Sequence, residues 1–256
     1  MKPLSVMNLG LKPYDRALRL QHQLVAARAQ GAIDDMLLLL QHPPVITLGR
    51  RGDETNILVP KERLAELGIE VHRVERGGDV TYHGPGQLVG YPILDLTHHR
   101  TDVGWYMHSL EEVLIRTLAD FGIAACRLSG KIGVWLDERH KIGALGVRID
   151  GWITYHGFAL NVAHDLTHFQ LIVPCGLPNV GVTSMEKVLR ESVDMAAVRD
   201  RAAENFCAVF ALEASQASLD DVLCRIGGCA DPSHEGAPGL VEDCAGLARL
   251  VKHDRF

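Results

Sequence analysis

Residues 141–149 and 152–162 are two strand-like runs separated only by Asp150-Gly151, and this dipeptide narrows the fold more than any other feature of the chain. Two-residue hairpin loops need positive φ at their central positions, and their twist matches that of paired strands. Asp-Gly between two such runs therefore specifies an antiparallel hairpin. A third run at residues 133–136 precedes it, so the middle of the chain predicts consecutive paired strands. Helical periodicity lies on either side. Residues 13–29 carry Ala17, Leu18, Leu24 and Val25 on one face and end at Gly31. Residues 103–121 carry Leu110, Val113, Leu114, Leu118 and Phe121 and stop at Gly122. Further strands are expected at 36–40 and 45–48 around a His-Pro-Pro turn, and at 87–96. Further helices are expected from Pro60 to Gly68, from a capping box of Thr183 and Glu186 through Arg190, and over 194–212. The pattern predicts an α+β fold: a mixed or antiparallel sheet flanked by helices.

Residues 1–212 read as one domain and 213–256 as an appendage. The appendage is richer in Gly, Asp and Cys, with short helical patterns near 219–226 and 240–251. Its Cys224, Cys229, His234 and Cys244 match no common zinc spacing, so no metal is expected there. The six cysteines of the chain form no C-x-x-C pair. A net charge of -6 argues against nucleic acid as a partner. No apolar run is long enough to span a bilayer, and residues 1–10 do not read as a secretory signal, so a cytoplasmic, membrane-free protein is expected.

Three segments carry the chemistry. Residues 76–87 read R-G-G-D-V-T-Y-H-G-P-G-Q. Their glycines let backbone N–H groups approach a ligand, although a tight surface turn has the same composition. Residues 141–146 read K-I-G-A-L-G, in which small residues on a strand leave room for an extended apolar chain; Lys131-Ile132-Gly133 repeats its first three letters. Residues 174–176 read P-C-G, a cysteine on a sharp turn, where the plain alternative is a buried structural thiol. In addition, Thr81-Tyr82-His83-Gly84 recurs as Thr154-Tyr155-His156-Gly157.

Together with H-G-F-A-L-N-V at residues 156–162, these segments resemble, in order and spacing over roughly the first 210 residues, the lipoyl(octanoyl) transferases. The resemblance implies the catalytic fold of lipoate and biotin protein ligases. It implies a catalytic dyad of Cys175 and Lys141, with Lys141 favoured over Lys131. It implies a substrate site of Arg76, Gly77, Gly78, Asp79, Val80, Thr81, Tyr82, His83, Ala144, Leu145, Gly146, Gly157, Phe158 and Ala159. The donor would be octanoyl-acyl-carrier protein. The acceptors would be lipoyl domains of 2-oxoacid dehydrogenases and the glycine-cleavage H protein. A Cys175 thioester would link the two steps, with no cofactor, ATP or metal. Rival readings are a cysteine hydrolase using His83 or His156 as base, an ATP-dependent lipoate ligase, and a non-catalytic lipoyl-domain binder. An acidic donor docking on an acidic chain requires a local basic face, for which Arg50, Arg51, Arg73, Arg76 and Arg148 are the candidates.

Overall fold

In a computed structural model, the described residues are 2–174 and 180–227. In chain order they form β1 (Lys2–Leu11), α1 (Tyr14–Ala29), β2 (Asp35–Gln41), β3 (Val45–Leu48), α2 (Lys61–Glu66), β4 (Glu70–Arg73), β5 (Val80–His83), β6 (Gln87–Ile93), α3 (Val103–Asp120), β7 (Cys126–Leu128), β8 (Lys131–Trp135), β9 (His140–Asp150), β10 (Ile153–Asn161), β11 (Gly181–Val182), α4 (Met185–Leu189), α5 (Met195–Phe210), β12 (Leu212–Gln216) and α6 (Leu219–Gly227). A nine-stranded sheet follows the order β12-β1-β2-β6-β10-β9-β8-β7, with β11 along the start of β9. A second sheet follows β4-β3-β5. β1 is parallel to β2 and β12, and the rest of the large sheet's path is antiparallel. This is the mixed sheet flanked by helices that the sequence predicts.

Both faces of the large sheet are covered because its strands are apolar on both. Leu37, Leu39, Phe158 and Leu160 pack under Leu110, Leu114 and Leu118 of α3 and Val198, Ala202 and Phe206 of α5. Met36, Leu38, Leu40 and Ala159 pack on the other face under Ala17, Leu20 and Leu24 of α1 and Val222 of α6. The small sheet has its own core of Ile46, Leu48, Val80, Tyr82 and Ile172, closed by Leu64 of α2.

Several details differ from the sequence reading. Asp150 pairs with Ile153, so the hairpin loop is Gly151-Trp152, both at positive φ (54° and 68°), one residue later than expected. The helix of residues 185–189 is capped by Ser184, not Thr183; the Ser184 side chain accepts from Lys187 N, and the Glu186 carboxylate accepts from Val193 N at 3.0 Å. The strands flanking His42-Pro43-Pro44 do not pair with each other but belong to different sheets. β1 was not expected, although Leu4 and Val6 show the alternation of a half-buried strand. Residues 213–227, counted with the appendage in the sequence reading, contribute β12, which pairs with β1 from Lys2↔Leu212 to Val6↔Gln216. They also contribute α6, which buries Val222. The remainder of that stretch, with Cys229, His234 and Cys244, lies outside the described residues. Among the described residues no helix is long and apolar enough to cross a membrane.

Candidate active site

The segment of residues 76–83 is a short loop running into a strand. Arg76 shapes it. Its side chain is buried, and the guanidinium donates to Thr47 O at 2.7 Å, Thr47 Oγ1 at 2.8 Å, Asp79 O at 2.8 Å and Gly77 O at 3.0 Å. Those bonds wrap the Gly77-Gly78-Asp79 backbone around a cation. Asp79 locks the far side by accepting from Val80 N (2.7 Å), Asp53 N (3.1 Å) and Asn56 Nδ2 (2.6 Å). Residues 49–51 lie on top through Gly49 N→Asp79 O, Arg50 N→Arg76 O and Arg51 N→Gly78 O. Gly77 N–H donates to Val147 O of β9 at 2.9 Å, which fastens the loop to the large sheet.

On β9 and β10 the small residues face one another. Ala144 is paired with Ala159, and Gly146 with Gly157. The result is a two-by-two patch of minimal side chains beside the Arg76 loop. Although β9 lies inside the sheet, Ala144 and Gly146 remain partly exposed, whereas Gly157 and Ala159 are buried, so the patch is open on its β9 side. A Cβ on Gly146 would lie 3.1 Å from Arg76 Cδ and from Gly77 O. Not every residue named from sequence turns its side chain here. Val80 packs in the small-sheet core, and Leu145 and Phe158 pack in the α3–α5 core, which leaves only their backbone for the site. Tyr82 also points into the small-sheet core, where its hydroxyl meets His168 Nδ1 at 2.8 Å; burial pushes the phenol up to about 12.

Lys141 enters from the start of β9. Its side chain is 8% exposed. Nζ donates to Ile132 O at 2.9 Å and lies 5.2 Å from the Trp135 ring centroid, within cation–π range. Lys131 lies at the same distance from that ring, but it reaches out to Glu138 O at the exposed β8–β9 turn. Cys175 lies outside the described residues. The chain before it is held where Ile172 bridges to Ile57 and Val173 N donates to Asn56 O at 2.8 Å. The chain after it is held by β11, with Gly181 N→Arg139 O (2.7 Å) and Thr183 N→Lys141 O (2.9 Å).

The histidines of the two T-Y-H-G segments join one row of rings. His83 contacts His42 (5.7 Å between centroids), His42 contacts Tyr91 (5.9 Å), Tyr91 contacts His156 (6.3 Å) and His156 stacks on Tyr155 (5.1 Å). His42 donates or accepts at both nitrogens, to Lys12 O and the Tyr91 hydroxyl, each at 2.7 Å. Sequence reasoning missed His42 and Tyr91, which lie outside the three motif segments. His156 takes φ +52°, which carries its ring to the same side as Tyr155 and leaves Nε2 3.7 Å from Glu75 Oε1. His156 and His22 hold Glu75 down to about 2. Burial pushes His83 well below the usual imidazole range and lowers His156 as well, so neither is set up as a charged group.

A family model described as the lipoyl protein ligase A/B catalytic domain matches residues 13–207. The octanoyltransferase of Solibacter usitatus is 50% identical over 214 residues, covering 83% of this chain and 96% of the relative. That of Koribacter versatilis is 46% identical over 256 residues, with 98% of each chain covered. The chain spans only 60% of the length of a third octanoyltransferase, from Myxococcus xanthus, at 46% identity. A solved structure of a bipartite lipoate protein ligase and its E2 lipoyl domain from Thermoplasma acidophilum superposes with a TM-score of 0.69 at 15% identity, covering 99% of this chain and 93% of that one. This last likeness speaks to the fold alone.

Proposed function

Because the chain belongs to the lipoyl protein ligase A/B catalytic domain family and, within it, to the octanoyltransferases, we propose that it takes octanoyl from an acyl-carrier-protein thioester and places it on a lysine of apo lipoyl domains by way of a Cys175 thioester. In the first step the Cys175 thiolate attacks the donor carbonyl, and the carrier thiolate leaves and takes a proton. In the second, the acceptor lysine amine attacks the new thioester, the amide forms and the Cys175 thiolate is expelled. Lys141 has two tasks. Its ammonium favours the Cys175 thiolate, and after giving its proton to the departing carrier thiol it receives one from the incoming amine. The octanoyl chain would lie along Ala144 and Gly146, against the backbone of Gly157 and Ala159, its carbonyl near the Gly77-Gly78 backbone.

The single observation that carries this reading is the buried Lys141 at the start of β9, the strand whose Ala144 and Gly146 are paired with Ala159 and Gly157. The segments on both sides of Cys175 support it, one tied to Asn56, which bonds Asp79, and the other to the Lys141 backbone. The acceptor set of 2-oxoacid dehydrogenase lipoyl domains and glycine-cleavage H protein follows from the family. The test is incubation with octanoyl-carrier protein and apo lipoyl domain without ATP, followed by intact mass. Octanoyl should appear first on Cys175 and then on the acceptor. Cys175→Ala should abolish both, and Lys141→Ala should slow transfer by a few orders of magnitude. A requirement for ATP would replace this reading with that of a ligase, and free octanoate as the main product with that of a hydrolase.

A further inference from the structure

The Arg76–His83 segment and Lys141 stand on different sheets, β5 in the small one and β9 in the large one. A chain of buried side-chain hydrogen bonds crosses between them. Thr183 O accepts from Asn161 Nδ2 at 3.0 Å, Asn161 Oδ1 accepts from Gln87 Nε2 at 2.9 Å, and Gln87 Oε1 meets His83 Nδ1 at 2.7 Å. Thr183 N in turn donates to Lys141 O. Gln87 and Asn161 are 2% and 5% exposed. Gln87 closes the R-G-G-D-V-T-Y-H-G-P-G-Q segment, and Asn161 is the next-to-last residue of H-G-F-A-L-N-V.

The chain has one direction only. A backbone carbonyl accepts and cannot donate, so the group of Asn161 facing Thr183 O is its NH2. Its oxygen then faces Gln87, which must present its own NH2 there and its oxygen to His83. His83 therefore carries its proton on Nδ1 and leaves Nε2 as an acceptor. Burial keeps the ring neutral, so the tautomer is single. A buried network of this kind is sensitive to loss of a member, because the neighbours left behind are dry and short of a partner; without Asn161, Gln87 Nε2 would keep only its long bond to Tyr82 O at 3.4 Å.

We propose that Gln87 and Asn161 are positioning residues for octanoyl transfer, which hold the Arg76–His83 segment in register with the Lys141 strand and fix His83 as the Nδ1-protonated tautomer. The inference rests on the transferase reading above for its kinetic arm only. Asn161→Leu keeps the branched shape and removes both bonds, and Asn161→Asp, nearly isosteric, keeps the acceptor for Gln87 but cannot donate to Thr183 O. Each is compared with the full-length wild type in octanoyl transfer, in thermal unfolding and by imidazole 15N spectroscopy of His83. The expected result is a fall in kcat of ~10- to 100-fold, the scale of a displacement of about 1 Å at a reacting group, with KM for the donor within about threefold. The His83 spectrum, two hydrogen bonds away from the substitution, should change from one Nδ1-protonated form to a mixture in Asn161→Leu and stay a single form in Asn161→Asp, whose carboxylate still accepts from Gln87 Nε2. Rates within twofold of wild type would overturn the proposal. So would a loss of rate in Asn161→Leu with an unchanged His83 spectrum, or one that vanishes well below the melting transition. Absence of transfer by the wild type would instead defeat the transferase reading, while the His83 spectrum would still report on the brace.

Discussion

Lys141 can lie across β8 only because residue 133 has no side chain. A Cβ there would stand 2.5 Å from Lys141 Cε and 2.6 Å from Gly143 O, and the backbone is at φ +115°, where L side chains are strained. The first neighbour is a flexible arm that can swing away, but the second is backbone and cannot. Gly133→Ala is therefore expected to displace the Lys141 ammonium from Ile132 O. Transfer should slow by ~10- to 100-fold, and strain should cost about 1–3 kcal/mol of stability. Lys131→Ala, which removes the neighbouring ammonium at the exposed turn, should leave both near wild type. Steady-state transfer rates measured well below each melting point decide it. A Gly133→Ala enzyme at full rate would mean that the Lys141 position does not limit the reaction.

At the scale of elements, β9 and β10 bring the site together, and the two glycines paired across them do different work. A Cβ on Gly157 would run into the Gly90 carbonyl oxygen and lie 2.7 Å from Pro92 Cδ, so this glycine lets β10 approach β6. A Cβ on Gly146 comes nearest to Arg76 Cδ and Gly77 O, both at 3.1 Å. Gly157→Ala should thus act as overpacking, about 1–3 kcal/mol less stable, with every acyl donor affected alike. Gly146→Ala should stay closer to wild-type stability and lose octanoyl and decanoyl thioesters before acetyl. Melting temperatures together with kcat/KM across a donor series separate the two, and equal chain-length profiles would place the acyl chain elsewhere. The strands and long helices were legible in the sequence because their periodicities are strong: α1, β3, α3, β9 and β10 fall within a residue or two of expectation. What was not legible were the features set by long-range pairing. β5 reads as loop because Gly77, Gly78 and Gly84 surround a four-residue strand whose partner, β3, is some 30 residues earlier. Arg76 reads as a ligand-facing cation, and only its bonds to Thr47 show it spent inside the loop. The brace of Gln87 and Asn161 joins side chains 74 positions apart, a distance over which no local pattern speaks.

At the scale of the whole molecule, charge enters twice. The first effect is on stability. Burial lowers His42 to about 4 and also lowers His83, His156 and His164. In the unfolded chain each would take a proton near pH 6.5. Between those values the unfolded state binds more protons than the native state, so stability rises with pH. The contribution from His42 is present above about pH 6.5 and is lost as pH falls toward about 4, with a slope of up to about 1.4 kcal/mol per pH unit. Glutamine at residue 42 can donate to Lys12 O and accept from the Tyr91 hydroxyl, as His42 does, without titrating. His42→Gln should therefore flatten the denaturant-measured stability between pH 6.5 and 4 by nearly one proton, and an unchanged slope would show that His42 does not titrate on unfolding. The second effect is on encounter with the donor. The chain carries a net charge of -6, and the donor proposed for it is acidic, so docking needs a local basic rim. Of the five arginines that the sequence offers, Arg76 is buried inside its loop and Arg73 faces Glu54 at 3.2 Å. Arg148 is partly covered. Arg50 and Arg51 are exposed, and their backbone lies directly on the Arg76–Gly78 loop, at the margin of the proposed acyl site. Charges at a rim act mainly on the association rate and are screened by salt, whose Debye length is about 8 Å at physiological ionic strength. Replacing both by Glu should raise the apparent KM for octanoyl-carrier protein by roughly tenfold at low salt. The difference should shrink as salt rises, and reaction with a small octanoyl thioester should be nearly unchanged. An equal loss with both donors, independent of salt, would assign Arg50 and Arg51 to support of the loop beneath them rather than to docking.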